Sequence, residues 1–183
     1  LKQVVDQQRT LGREIVVVMG VGFVGAVMAA VVADAKDKRG NPSKYVIGMQ
    51  RPSPRSYWKI PLLNRGISPV SSEDPEVPLM INRCVNEKKT LIATFTYDAL
   101  KLADVVIVDV QCDYFKESLG NVRDGRAEME ALEESLEIIA QNISPQALVL
   151  IETTVAPGTT EQVAYPIMKK VKKKRGIDTD PIL

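Results

Sequence analysis

Histidine is absent from this sequence. Its absence removes the commonest general base and the commonest metal ligand from any mechanism confined to the chain. Cysteine is scarce: Cys84 and Cys112 are the only two, and they stand in unrelated contexts. They make neither a disulfide framework nor a metal-ligand cluster, so no metal is expected, and a reducing cytoplasm is the expected setting. An excess of charge of either sign is also lacking. With a formal net charge of +1, the chain as a whole has no bias toward nucleic acid or an anionic membrane, and neither is expected as a partner. A first methionine is missing, Leu1 standing in its place. Residues 176–183 read as a truncated lead into a further strand, so a fragment of a longer protein is expected.

What is present is the balance of a globular protein, 45% hydrophobic and 26% charged residues in a chain of 183, enough for one domain with a sizeable core. The uncharged run 15–33, IVVVMGVGFVGAVMAAVVA, is long enough to raise the question of a membrane span. A strand followed by the buried face of a helix has the same composition. The interrupting glycines and the mixed charges just before the run favour that second reading.

Hydrophobic periodicity predicts strands at 15–19, 45–49, 90–95, 105–110 and 147–151. Helices are expected at 22–34, 60–65, 79–87, 98–103, 127–142 and 160–174, with polar loops at 50–58, 68–78 and 111–125. Residues 1–14 form an N-terminal extension and 15–175 the domain. Strands separated by helices imply an α/β fold, a parallel sheet covered by helices on both faces. The basic run 169–175 reads as cations gathered at a helix C-terminus, where they offset the dipole, and not as a nucleic-acid patch.

Directly after the first strand comes GVGFVG, with Gly20, Gly22 and Gly25. Strand before, helix after and a second strand some distance on make this the phosphate turn of a Rossmann-type doubly wound sheet, with strand order 3-2-1-4-5. Gly20 permits the tight turn, Gly22 lets a pyrophosphate approach the backbone, and Gly25 lets the helix pack close. Phe23 and Val24 open the helix whose free N–H groups would hold the phosphates. At the tip of the second strand, where a carboxylate would accept from the ribose of NAD, stands Gln50, followed by Arg51, Ser53 and Arg55. The arginines suit a 2′-phosphate, so these residues leave NAD and NADP both open.

Residues 152–161, ETTVAPGTTE, closely resemble the E-S-T-x-x-P-G-T-T tract of the UDP-glucose/GDP-mannose dehydrogenase family. KIPLLNRGISP at 59–69 resembles its K-[IV]-x-x-[IL]-N-x-G-x-x-P segment, and Ala93-Thr94 with Ala103-Asp104-Val105 its A-T … A-D-V stretch. The resemblance spans residues 15 to about 167, and the loop after Gln50 is more similar to the UDP-N-acetylhexosamine branch. It implies NAD as cofactor, and a UDP-sugar substrate whose C6 alcohol is oxidised to the carboxylate in two hydride transfers through a cysteine nucleophile. It also implies a homodimer for the full-length protein. Neither Cys84 nor Cys112 matches the nucleophile's motif, so the fragment alone is expected to be inactive.

By the same resemblance, Thr154 matches a threonine near the nicotinamide and takes a supporting catalytic role. Val110 and Cys112 fall in the cofactor loop after the fourth strand, where VQCD replaces the usual V-x-T-P. A thiol is a poor donor, which weakens that contact. The tract 71–78, SSEDPEVP, also departs from the pattern. Thr159 with Gln162 fits a capping box for the last helix. Two other readings stand beside this one: a different Rossmann enzyme of the hydroxyacid or 6-phosphogluconate type, which the PGTT tract disfavours, and a non-catalytic nucleotide-binding module.

Overall fold

The computed structural model describes residues 1–121 and 124–183. Positions 122 and 123, within the expected loop 111–125, lie outside the described residues. Five parallel strands form the sheet: β1 (Glu14–Met19), β2 (Lys44–Met49), β3 (Leu91–Thr94), β4 (Val105–Val108) and β7 (Leu148–Ile151), in the order β3-β2-β1-β4-β7. This is the expected 3-2-1-4-5 order. The label of the fifth parallel strand changes because a small antiparallel hairpin, β5 (Asp113–Phe115) with β6 (Arg126–Glu128), precedes it.

The helices are α1 (Lys2–Thr10), α2 (Phe23–Asp34), α3 (Lys59–Asn64), α4 (Glu76–Asn82), α5 (Glu130–Asn142) and α6 (Tyr165–Lys174). A π-helical turn, Arg83–Glu87, extends α4, another, Thr160–Ala164, precedes α6, and Tyr97–Leu102 is a 3-10 helix.

Alternation along the strands explains the two covered faces. Val16 and Val18 of β1 pack with Ala29, Ala33 and Cys84 on the α2 and α4 side. Ile15, Val17 and Met19 pack with Leu132, Leu136 and Ile139 of α5 and Met168 of α6 on the other. A strand buried on both faces must be apolar at nearly every position, which is why β1 and β4 read as continuous runs. Four alanines of α2, at 26, 29, 30 and 33, are buried and let that helix lie close to the sheet. No helix among the described residues is long and apolar enough to cross a membrane.

Several expectations are corrected. The segment 111–125 is not all loop, because Tyr114 and Phe115 are good strand formers and pair across to Ala127 and Arg126. Residues 127 and 128 therefore belong to β6, and α5 begins only at Glu130. The loop expected at 68–78 ends early, with α4 starting at Glu76. Residues 1–14 include a docked helix. Val5 is fully buried, and Arg9 donates to Leu102 O and Asp104 Oδ1, both at 2.8 Å. At the other end, Ile182 bridges Leu148 in parallel, Val149 N–H donating to Ile182 O at 2.9 Å, so the tail lies along the β7 edge.

The basic run at 169–175 makes specific bonds. Arg175 donates to Ala140 O (2.6 Å) and Ile143 O (3.0 Å), capping the C-terminal end of α5, not of its own helix. Lys172 is buried and donates to Pro145 O and Asp180 O. The dipole argument holds for the last turn of α6 but omits these two roles.

Candidate dinucleotide site

β1 delivers the chain to a tight turn at the C-terminal edge of the sheet. Gly20 N–H donates to Met49 O at 2.8 Å, and Gly20 sits at φ +105°. A Cβ there would lie 2.1 Å from Asp109 O, so backbone conformation and space both demand glycine. A Cβ on Gly25 would lie 1.7 Å from Gly20 O, which lets α2 fold back against the turn that launches it. Gly22 differs: nothing lies within 4 Å of a Cβ built on it. Protein packing does not require a bare backbone at Gly22.

Gly22 is also the N-cap of α2, with no side-chain cap bond and no acidic residue in the first turn. The amides of the first turn therefore have no partner inside the helix and point outward with the positive end of the dipole. Gly22, at the head of that turn, lines a groove of about 1350 Å³. Gly20, Gly22, Gln50, Arg51 and Val110 line it together. Phe23 and Val24 stand exposed at the head of α2. The arrangement fits the diphosphate of a dinucleotide: bare backbone, free donors and open space coincide at one point.

Gln50 braces the turn, its Oε1 accepting from Val21 N–H at 3.0 Å. Arg51 Nη1 reaches Glu134 Oε2 of α5 at 2.7 Å. Asp109, one residue past β4, was not anticipated. Its Oδ2 is buried with no hydrogen-bond partner among the described residues. Burial first, and then the nearby Glu152, push its pKa above the ordinary carboxylate value.

Residues 14–181 match the UDP-glucose/GDP-mannose dehydrogenase family, NAD binding domain. The chain belongs to this family.

Among curated relatives, GDP-mannose 6-dehydrogenase of Pseudomonas putida is 26% identical over 162 residues, covering 88% of this chain and 33% of its own length. Among solved structures, NDP-N-acetyl-D-galactosaminuronic acid dehydrogenase from Methanosarcina mazei Go1 superposes with a TM-score of 0.74 at 28% identity, over 92% of this chain and 33% of that one. A ternary complex of GDP-mannose dehydrogenase from Pseudomonas aeruginosa gives 0.66 at 25%, over 86% and 32%. The chain thus spans about a third of the length of the proteins it matches.

The tracts that carry the likeness to the UDP-glucose/GDP-mannose dehydrogenase family have structural roles here. Asn64 Oδ1 accepts from Ala93 N–H (2.7 Å) and its Nδ2 donates to Ala93 O (3.0 Å), so this side chain satisfies the open edge of β3. In the PGTT tract, Thr153 Oγ donates to Val110 O and ties the loop after β7 to the loop after β4. Thr154 is exposed, and its carbonyl accepts from Tyr114 OH at 3.3 Å.

The capping box at Thr159 is not formed. Thr159 is already helical, makes no side-chain cap, and its hydroxyl donates to Ala156 O at 2.7 Å. Cys112 Sγ lies 3.5 Å from Glu128 O and 3.6 Å from Met129 Sδ, turned toward β6 and the start of α5. Cys84 is fully buried, and burial pushes its thiol up to about 11, which makes it an inert core residue. Asp109 carried no motif in the sequence, and Thr153 lay within the ETTVAPGTTE tract without being singled out. Glu134 is one of several glutamates on a polar helix face, and nothing local singles it out.

Proposed function

We propose that this chain supplies the dinucleotide site of a nucleotide-sugar 6-dehydrogenase, which oxidises a sugar C6 alcohol to the carboxylate in two hydride transfers. One observation carries the reading: Gly22 is bare over open space while Gly20 and Gly25, on either side, are bare because the fold is tight. Residues 15–175 form the binding unit, with 1–14 docked against it. Gly20, Gly22, Phe23, Val24 and Gly25 take the diphosphate, Gln50 and Arg51 the adenosine ribose, and Val110, Cys112 and Thr154 the nicotinamide side. The cofactor, when bound, supplies the hydride acceptor. The chain's own part would be to hold it at the strand tips, with the loops after β4 and β7 at the nicotinamide side.

The substrate class we assign is a nucleotide-linked N-acetylhexosamine. The form of the loop after Gln50 supports this, as does the likeness to the Methanosarcina mazei enzyme, whose name specifies an N-acetylated sugar. The curated relatives are about three times longer, and neither cysteine here is placed as a nucleophile, so the 183-residue chain is expected to bind cofactor without turning over substrate.

Titration of NADH into the purified chain, read by nicotinamide fluorescence, tests the assignment. Saturable binding lost in Gly22→Asp is expected. Equal binding by Gly22→Asp and the parent overturns it. Oxidation of any nucleotide sugar by the chain alone refutes the division of labour.

A further inference from the structure

The glycine turn accounts for a diphosphate but not for the charge at one end of the groove. Residues 50–59, QRPSPRSYWK, contain three cations and no carboxylate. Arg51, Arg55 and Lys59 all line the groove beside Gln50. Elsewhere its lining is mixed with an acidic excess, Asp109, Asp113, Glu117, Asp124, Glu128 and Glu130 against Lys116 and Arg126. A dinucleotide lying on the glycine turn brings its adenosine ribose to the tip of β2. That is the cationic end.

The polar ends of Gln50 are not equally available. Its Oε1 is engaged by Val21 N–H, which leaves the amide NH2, a donor only, as its unspent group. A donor there complements a phosphate oxygen. It cannot replace the carboxylate that accepts from both ribose hydroxyls in NAD-selective sites.

The loop that carries the arginines is built rather than slack. Ser56 is buried and its hydroxyl donates to Arg51 O at 3.1 Å. Trp58 Nε1 donates to Arg55 O at 3.0 Å, and Ser56 and Tyr57 N–H both donate to Ser53 O. Tyr57 then packs edge-on against Phe95 of the β3 end, ring centroids 5.1 Å apart. Both arginine carbonyls are therefore pinned, and their side chains start from fixed points. Arg51 is held at the groove by Glu134, but the two side chains are 57% and 52% exposed. An ion pair that open to water is readily exchanged for a stronger, dianionic partner.

We infer that this site selects the 2′-phosphorylated dinucleotide, NADP, over NAD, with Gln50, Arg51 and Arg55 as the residues that decide it. The inference rests on the dinucleotide reading of the groove and concerns only the ribose end.

The test is calorimetric titration of the chain with NADH, NADPH, 5′-AMP and adenosine 2′,5′-bisphosphate. NADPH should bind at least about tenfold more tightly than NADH, and the bisphosphate should exceed 5′-AMP by a similar factor. Raising the salt should narrow both gaps. The double variant Arg51→Ala/Arg55→Ala should close the gap by weakening NADPH far more than NADH. Gln50→Glu keeps an acceptor for Val21 N–H and should reverse the preference. Glu134→Gln should strengthen NADPH binding alone. NADH binding as tightly as NADPH, or a gap that survives the double variant, overturns the inference. Binding of neither dinucleotide refutes the site itself.

Discussion

Asp109 lies directly beneath Gly25: its Oδ2 is 2.9 Å from the point a Cβ on Gly25 would occupy, and it has no hydrogen-bond partner among the described residues. A carboxyl in that position is desolvated and also repelled by Glu152, so its pKa is raised in the folded chain. A carboxyl raised on folding favours the native state only while protonated. Its contribution is full below the unfolded value near 3.8 and falls as pH rises toward the folded one. Asp109→Asn should therefore raise Tm at pH 7, by about 2–4 °C for each kcal/mol relieved. The difference should shrink as pH falls through the folded pKa toward 3.8 and be small below that. Thermal melts across pH check this, and an Asn variant less stable at pH 7 would contradict it.

Gly22 and Gly25 should part company on substitution by alanine. Gly25→Ala drives a methyl into Gly20 O, and overpacking of this kind costs about 1–3 kcal/mol or more. Gly22→Ala meets nothing, and its φ of −82° suits any residue, so Tm should hold. Dinucleotide affinity should nevertheless fall by at least about tenfold, because the methyl occupies the space over the free amides. Paired melts and NADH titrations separate the two effects.

Asp34 ends α2 in a cluster of cations. It accepts from Arg83 Nε (2.9 Å) and Nη2 (3.0 Å) and from Lys88 Nζ (2.6 Å). The Arg83 guanidinium first, and Lys88 after it, hold its carboxyl well below the usual range against the opposing effect of burial. A depressed carboxylate stabilises above its unfolded pKa, near 3.8, and that contribution is lost as pH falls. Asp34→Asn should cost about 1–3 kcal/mol at neutral pH in urea unfolding, given the strength of charge-assisted bonds. The cost should fade in acid.

Lys172 fastens the tail. Its Nζ bridges Pro145 O and Asp180 O from a buried position, and burial lowers its pKa. Lys172→Met keeps the volume and removes the donor. Hydrogen exchange at Val149 N–H, now bonded to Ile182 O, should speed up by tenfold or more on an order-of-magnitude estimate, while exchange in β1 stays slow.

The two thiols should differ sharply in reactivity. Cys84 is fully buried and shifted up to about 11, while Cys112 is half-buried beside the groove. At pH 8 a thiol reagent should modify one cysteine quickly, and peptide mapping should place it at Cys112. Fast labelling of Cys84 in the folded chain would mean that the α2–α4 packing opens readily.

Much of this was legible in one dimension. β1 and α2 could be read from a continuous apolar run meeting a glycine turn, since both are consequences of local backbone geometry. The hairpin of β5 and β6 was not, because three residues against three make no periodicity, and the glutamates after it imitate a longer helix. Thr159 and Gln162 had the right spacing for a capping box, but the Pro157-Gly158 turn starts the helix one residue early and turns the hydroxyl to Ala156. The motif at 59–69 was recognised for its family likeness, while its physical work, Asn64 sealing the edge of β3, needed the strand order to be known.

The residue pattern by itself determined the alternation of strand and helix, the parallel sheet and the bare phosphate turn. Each follows from side-chain period and backbone freedom within a few neighbours. Tertiary structure alone decided which residues complete the site. Arg51 meets Glu134 across 83 positions, Arg175 caps a helix 35 residues upstream, and Asp109 is left without a partner under the first turn of α2. Such pairings depend on how the sheet winds, because the winding brings strand tips and helix ends together irrespective of their distance along the chain.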